Sequence, residues 1–165
     1  GKGFCSKELV EQVIYNANFH NIPVYVDPKG KEWEKYRGAS LIKPNASELE
    51  EWLGASVRFD EQSLLNYFKQ IAQLNISNIV ISRAKDGLTL VAHNGFNHFL
   101  APTIDVYDVS GAGDTVMAVL VYGYTQGMPL RHALELAVKA GSFVVTKSRT
   151  YAINLEELNT LITKA

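Results

Sequence analysis

Short runs of β-branched and aromatic residues alternate along this chain with longer segments of helical periodicity, and this alternation limits the fold more than any other feature. The short runs predict strands at 22–27, 40–43, 78–82, 88–92 and 97–101, the last two as a hairpin. The longer segments predict helices at 46–53, 61–74, 113–126 and 130–145, a first helix that is capped by Ser6 and ends at about 19, and a last helix from 154; a short helix is predicted between the first two strands. This order favours an α/β fold with an open, mostly parallel sheet that is flanked by helices and has an antiparallel edge.

An open parallel sheet also predicts where a ligand lies, because such sheets bind ligands beyond the carboxyl ends of their strands. The residues at those strand ends are Asp27, Lys43, Ser82 and Ala101. We therefore expect the chemistry of the chain in the segments that follow them.

Charge and cysteine content exclude several classes of protein. The 165 residues include 16 basic and 17 acidic side chains, a net charge of −1, which argues against nucleic acid or an anionic membrane as a partner. The chain is 47% hydrophobic, enough for a buried core, but its apolar stretches are far shorter than the ~20 residues of a membrane span. Cys5, the single cysteine, can form no internal disulfide. We expect a globular domain in a reducing compartment, the cytoplasm.

The run Asp108-Val109-Ser110-Gly111-Ala112-Gly113-Asp114 carries the strongest chemical signal. Its small residues let the backbone approach a ligand closely, and they lead directly into a helix. Unpaired N–H groups and the positive end of the helix dipole then converge on a spot that suits a phosphoryl group. A carboxylate at Asp114 would repel that group unless it takes a proton from an attacking hydroxyl. In the structural alternative, Asp108 caps a turn and Asp114 stabilises the first helical turn.

This run, continued by Thr115, resembles the DTxGAGD signature of the ribokinase-like carbohydrate kinases, the PfkB family. The segment Lys43-Pro44-Asn45-Ala46-Ser47-Glu48 resembles the PNxxE segment of the same family, and the two stand in the family's order. The string Val26-Asp27-Pro28-Lys29-Gly30, followed by Tyr36-Arg37-Gly38-Ala39, is similar to the kinase domain of bacterial heptose-7-phosphate kinases. The resemblance covers essentially the whole chain.

The resemblance implies that the chain is the C-terminal half of a ribokinase-like domain. Gly1-Lys2-Gly3 is similar to the end of a D-Y-x-K-G segment that lies midway through such kinases. The family's first strands, its Gly-Gly sugar-binding turn and its small β lid are absent from this sequence, and the missing N-terminal half is an expected partner. A homodimer of the intact protein is left open, because the family's dimer contacts usually involve that lid.

The resemblance assigns roles residue by residue. Asp114 would be the catalytic base that activates the acceptor hydroxyl, and Gly111, Ala112 and Gly113 would form the anion hole for the transferred phosphoryl group. Glu48 would act on Mg²⁺, mostly through water. The expected contacts to ATP are Asn45, Ser82, Ala84, Lys85, Gly87, Asp108 and Val144. Lys29 and Lys43 are candidate phosphate contacts.

Several of these residues have a structural alternative. Glu48 also suits an exposed glutamate near a helix N-terminus, and loop lysines such as Lys85 are usually solvated. Two departures from the family leave the base preference open. Val138 stands where the family usually has an asparagine, and Arg149 lies in a loop that often carries glycine.

These expectations combine into an ATP-dependent kinase that acts on a sugar phosphate. The resemblance implies that D-glycero-β-D-manno-heptose 7-phosphate is converted to the 1,7-bisphosphate for lipopolysaccharide core assembly. The alternatives are another sugar or nucleoside kinase of the family and a nucleotide-binding fragment without turnover. We expect the 165-residue chain alone to be inactive, because the opposite wall of the sugar site is absent from it.

Overall fold

The computed structural model of the protein describes residues 5–104, 107–147 and 149–163. The chain forms two compact units. The first contains the residues up to Arg83 together with Thr89–Asn97, and the second contains Ala84–Leu88 and the residues from His98 onward. Gly1-Lys2-Gly3, which is similar to the D-Y-x-K-G segment, lies outside the described residues.

A five-stranded sheet runs in chain order from β1 to β5. Its strands are β1 (Tyr25–Val26), β2 (Leu41–Ile42), β3 (Asn78–Ser82), β4 (Leu88–Ala92) and β5 (Gly95–Phe99). The first three are parallel, with Val26 opposite Ile42 and Ile42 opposite Ile79. A two-residue turn joins β4 to β5, which makes that pair antiparallel. The sheet is therefore mixed, with the predicted parallel part and the predicted antiparallel edge.

The strands differ from the predicted ranges at their ends. β1 begins at Tyr25 and not at 22, because Pro23 has no N–H for a ladder and Ile22 is exposed. β2 ends before Pro44, as expected, but is two residues long. β5 begins at Gly95, directly after the turn, and ends before the exposed Leu100, so the predicted range 97–101 was wrong by two residues.

The first unit contains three helices, α1 (Lys7–Phe19), α2 (Ala46–Leu53) and α3 (Glu61–Ala72), and a 3-10 helix at Trp33–Tyr36. The α-helices begin at side chains that cap the backbone, Ser6, Asn45 and Asp60. Their apolar faces form a core with the sheet. Trp33 is fully buried in that core and stacks on Trp52, with ring centroids 4.7 Å apart.

The second unit contains α4 (Ala112–Thr125), α5 (Leu130–Val144) and α6 (Leu155–Thr163). α4 and α5 approach each other closely, because a Cβ built on Gly123 would lie 2.7 Å from the Ala133 Cβ. Val116 of α4 similarly lies against Gly141 of α5, because a Cβ built on Gly141 would lie 3.0 Å from Val116 Cγ2. In the described ranges of the chain, no helix has the length and apolar character to cross a membrane.

Candidate active site

The segment that leads into α4 is a tight turn stabilised by its own side chains. Asp108 Oδ1 accepts a hydrogen bond from the Ser110 N–H at 2.8 Å, and this bond lowers the pKa of the Asp108 carboxyl from its usual value. Gly111 is the N-cap residue of α4 and has a φ of 81°, in the left-handed region where a side chain is strained. Asp108 therefore shapes the turn, and its contact with a nucleotide stays a prediction.

Backbone donors and a carboxylate share the first turn of α4. The Ala112 N–H donates to the Val109 carbonyl at 3.3 Å, so one of the three predicted anion-hole donors is engaged within the turn. The N–H groups of Gly111, Gly113 and Asp114 have no acceptor in the part of the chain that the structure describes. The Asp114 side chain is exposed beside them. The helix dipole adds positive potential at this point, which favours an anion.

The C-terminal end of α5 fixes this turn in place. The Val145 carbonyl accepts hydrogen bonds from the Tyr107 N–H at 2.7 Å and from the Asp108 N–H at 3.1 Å. On the other side of the turn, a Cβ on Gly111 would lie 3.0 Å from Thr150 Cγ2. The packing of α4 on α5 therefore determines where the donors of the first α4 turn lie.

Four charged residues in the first unit form what we call the Asp27 cluster: Asp27, Lys29, Lys43 and Glu48. Asp27 follows β1 and Lys43 follows β2, so the parallel pairing of these strands brings the two residues together. Lys43 Nζ lies 3.4 Å from Asp27 Oδ1, and Lys29 Nζ lies 3.7 Å from Asp27 Oδ2. Lys29 also forms an ion pair with Glu48 Oε1, and this bond is the main reason that the pKa of Lys29 is raised. The cluster alternates positive and negative charges.

Lys43 and Lys29 differ in accessibility. The Lys43 side chain is 4% exposed, whereas that of Lys29 is 70% exposed. A buried ammonium requires a nearby anion, and Asp27 supplies it. Lys43 is thus part of the interior of the site, and Lys29 lies at its surface.

Asn45 and Glu48 form a reciprocal capping box at the start of α2. The Asn45 side chain accepts from the Glu48 N–H, and Glu48 Oε2 accepts from the Asn45 N–H, both at 2.8 Å. Ser82, at the end of β3, is held beside them because its N–H donates to the Pro44 carbonyl at 2.9 Å. The structure therefore brings Asn45, Glu48 and Ser82 together with the Asp27 cluster.

The remaining predicted nucleotide contacts lie in the second unit. Ala84 and Lys85 belong to an exposed 3-10 helix at Ala84–Asp86. Gly87 has a φ of 88°, and a Cβ there would lie 2.0 Å from the Phe99 carbonyl oxygen, so its first role is to allow this close approach of two backbones. Val144 is 2% exposed at the end of α5, where it packs in the interior, and an adenine contact stays a prediction.

Asp27 was predicted at a strand end but was not among the predicted site residues. The structure makes Asp27 the partner of both lysines. The sequence contained a signal for this pairing. Asp27 stands at the end of one predicted strand, and Lys43 stands at the end of the next. Parallel pairing of those two strands brings opposite charges into contact.

Two carboxylates of the Asp27 cluster are of the chemical type that magnesium takes as ligands. In the described ranges, no group of three or more His, Cys, Asp or Glu side chains is arranged to hold a metal by itself. Mg²⁺ in phosphoryl-transfer sites usually has one or two carboxylates, several waters and substrate phosphate oxygens as ligands. Glu48 and Asp27, both in the first unit, are carboxylates of this kind.

Curated relatives match nearly the whole chain. It is 40% identical over 158 residues to the bifunctional protein HldE of Methylobacillus flagellatus, which covers 95% of this chain and 32% of that protein. It is 38% identical over 151 residues to the D-beta-D-heptose 7-phosphate kinase of Bordetella bronchiseptica, which covers 92% of this chain and 48% of that protein. The chain thus spans about a third of the length of HldE and about half that of the kinase.

Solved structures share the fold of the chain at low sequence identity. Arabidopsis thaliana ribokinase, in complex with ribose and ATP, matches with a TM-score of 0.84 and 19% identity over 95% of this chain and 53% of that one. Escherichia coli phosphofructokinase-2, in complex with substrates and products, matches with a TM-score of 0.81 and 18% identity over 98% of this chain and 53% of that one. The predicted ribokinase-like fold is thereby confirmed.

The two signatures found in the sequence also match a model of a whole family. The model describes the pfkB family carbohydrate kinases and covers residues 3–157 of this chain. Both the Asn45–Glu48 capping box and the Gly111–Asp114 turn lie within the matched range. The chain belongs to the PfkB family of carbohydrate kinases.

Proposed function

We propose that this chain supplies the catalytic base and the phosphate-binding part of an ATP-dependent kinase that phosphorylates heptose 7-phosphate at its anomeric hydroxyl. One observation carries the proposal. The exposed Asp114 carboxylate and three unpaired N–H groups share the first turn of α4. A base for the acceptor and donors for the transferred phosphoryl group are the two protein functions that in-line transfer requires.

In this mechanism, Asp114 accepts the proton of the acceptor hydroxyl. The hydroxyl oxygen forms a bond to the γ-phosphorus of ATP, while the bond from that phosphorus to the β,γ-bridging oxygen breaks and ADP leaves. The N–H groups of Gly111, Gly113 and Asp114 donate to the oxygens on which negative charge develops. Each such preorganised donor typically lowers the barrier by ~3 kcal/mol.

The family resemblance implies further phosphate contacts by residues of the first unit. Lys29 and Lys43 would pair with phosphate oxygens, and Asn45 and Ser82 would donate to them. Glu48 would hold magnesium-bound water, and magnesium, when bound, would neutralise charge on the β- and γ-phosphates. Ala84, Lys85, Gly87 and Val144 remain the proposed contacts to the nucleotide.

The choice of acceptor is supported by the relatives and by the residues of the chain. The relative named D-beta-D-heptose 7-phosphate kinase is 38% identical to this chain, whereas the matched ribokinase and phosphofructokinase structures are 18–19% identical. The Asp27-Pro28-Lys29 string that contributes to the Asp27 cluster is also the string that is similar to heptose kinases. Because ATP is the donor, the proposal includes a cytoplasmic location.

The test is phosphoryl transfer from labelled ATP, with the full-length gene product that carries this chain. The acceptors are heptose 7-phosphate, fructose 6-phosphate, ribose and adenosine, each at several concentrations. We expect kcat/KM for heptose 7-phosphate to exceed the others by at least about 10²-fold, because buried polar groups that match one acceptor are left unpaired by another. A higher value for another acceptor would reassign the substrate. Transfer to none of them would favour a nucleotide-binding role without turnover.

A further inference from the structure

We propose that Lys29 is a positioning residue that holds the Glu48 carboxylate while no substrate is bound and then exchanges it for a phosphoryl oxygen of the incoming substrate. The exchange would free one oxygen of Glu48 for magnesium-bound water. This inference deepens the proposed function and rests on it, because it requires that a phosphorylated substrate and magnesium bind near Glu48.

Both oxygens of the Glu48 carboxylate accept a hydrogen bond in the structure. Its Oε2 accepts the Asn45 N–H at 2.8 Å, and its Oε1 is paired with Lys29 Nζ. The Glu48 side chain is 15% exposed, and the Lys29 ammonium lies at its accessible oxygen. Movement of Lys29 away from Oε1 would open this oxygen to a water of magnesium.

The backbone of Lys29 is held in place, whereas its side chain is free to move. Its N–H donates to the Tyr36 hydroxyl at 3.2 Å, and the neighbouring Gly30 carbonyl accepts from Trp33 Nε1 at 2.9 Å. Trp33 is fully buried, so the backbone of Lys29 is anchored to the core of the first unit. The side chain, in contrast, is 70% exposed and has the rotamer freedom to swing.

Asp27 keeps the ammonium close during the exchange. Its Oδ2 lies 3.7 Å from Lys29 Nζ, and its Oδ1 is held by the buried Lys43 at 3.4 Å. Lys29 can therefore leave Glu48 and remain beside a carboxylate that is itself fixed in place. A phosphoryl group carries more negative charge than a carboxylate and accepts strong charge-assisted hydrogen bonds, so it competes well for the same ammonium.

A second capping box in the chain shows that Lys29 is not needed for the box itself. Asn154 and Glu157 at the start of α6 make the same reciprocal bonds, at 2.9 Å and 3.0 Å. There the other carboxylate oxygen of Glu157 accepts a bond from the neutral Tyr151 hydroxyl at 2.7 Å. The N-x-x-E box thus forms without an ammonium, and the Lys29 pair is an additional feature of α2.

The test is a double-mutant cycle of ATP binding by calorimetry, with the full-length protein in EDTA so that no transfer occurs. The variants are Glu48→Gln, Lys29→Met and the double variant. Glutamine preserves the capping box, and Lys29 is exposed, so thermal unfolding should confirm that all variants fold. Lys31→Met is the matched control, because Lys31 is an exposed lysine of the same loop.

If Glu48 competes with phosphate for Lys29, Glu48→Gln should tighten metal-free ATP binding by about 2- to 5-fold, the range for an ion pair with one exposed partner. In the Lys29→Met background the same change should have no effect, whereas in the Lys31→Met background it should keep its full effect. A Glu48→Gln effect of equal size in all backgrounds, or no effect with either ATP or heptose 7-phosphate, would overturn the exchange.

A parallel titration with heptose 7-phosphate and no nucleotide identifies the source of the phosphoryl oxygen. If the Lys29-dependent effect appears in this titration and not with ATP, the exchange holds and the acceptor's phosphate is the partner. If wild-type protein binds neither compound, the proposed function fails and the exchange fails with it. If wild-type protein binds them but the effects do not depend on Lys29, the exchange alone fails.

Discussion

The close approach of α4 and α5 predicts a measurable effect of adding one methyl group at Gly123. An alanine there would gain about 1 kcal/mol in helix propensity. Its Cβ, however, would lie 2.7 Å from the Ala133 Cβ, where two carbons prefer ~3.5–4.0 Å, and the helices would have to separate. Overpacking of this kind costs about 2–3 kcal/mol. We therefore expect Gly123→Ala to lower the free energy of unfolding by about 1–2 kcal/mol.

The partner change Ala133→Gly makes the prediction specific. Alone, it should destabilise the protein by about 2 kcal/mol, from lost helix propensity and a lost buried methyl group. Together, the two changes move one methyl from α5 to α4, and the double variant should lie within about 0.5 kcal/mol of the original protein. Urea unfolding at 25 °C, followed by circular dichroism, measures all four proteins. Additive effects of the two changes would refute the described packing.

Three further predictions concern the loops and the site. Arg149 has a φ of 66°, in the left-handed region that glycine adopts without strain, so Arg149→Gly should raise the free energy of unfolding by about 0.5 kcal/mol. Arg131→Gly, inside α5, is the control and should lower it, and urea unfolding measures both variants. Glu48→Gln should raise the Mg²⁺ concentration needed for half-maximal rate at fixed ATP, and an unchanged magnesium curve would leave Glu48 a capping residue alone. The 165-residue chain by itself should bind MgADP with a Kd of ~10⁻⁴ M or weaker and should transfer no phosphate to heptose 7-phosphate, which calorimetry and a coupled assay can check.

The helices were predictable because their signals are local. Ser6, Asn45 and Asp60 cap the helices that follow them, and the observed starts of α1, α2 and α3 agree with the sequence to within one residue. The end of α3 was less well predicted. It ends at Ala72 and not at 74, because the Leu74 N–H donates to the Ile71 carbonyl in a tighter turn.

The Asp27 cluster was only partly predictable, because its contacts join residues that are distant in sequence. The resemblance to a kinase family indicated Lys29, Lys43 and Glu48, but not that Lys29 pairs with Glu48 across 19 residues. A short helix was predicted between β1 and β2, and the structure has a 3-10 helix at Trp33–Tyr36, but the sequence did not indicate that its buried Trp33 anchors the loop that carries Lys29. Tertiary packing, and not local propensity, determines these positions.

The turn before α4 was also predictable only in part. The sequence predicted its glycines at the start of a helix, but it did not predict which N–H groups of the turn are hydrogen-bonded. Ala112, a predicted anion-hole donor, is bonded to Val109 within the turn, whereas the Asp114 N–H is unpaired in the described part of the chain. Such assignments depend on backbone dihedral angles, and the left-handed conformation of Gly111 sets them here.

Steady-state kinetics of Asp114→Asn in the full-length protein test most directly whether Asp114 is the base of a phosphoryl transfer. Asparagine keeps the shape of the side chain and cannot take a proton. We predict that kcat falls by ~10²–10⁴-fold while the Kd for MgADP changes by less than about threefold, because the anion hole consists of backbone N–H groups. Glu135→Gln, at an exposed carboxylate of α5, is the control and should keep normal turnover. Near-normal turnover of Asp114→Asn would contradict the account and leave Asp114 a helix-start residue.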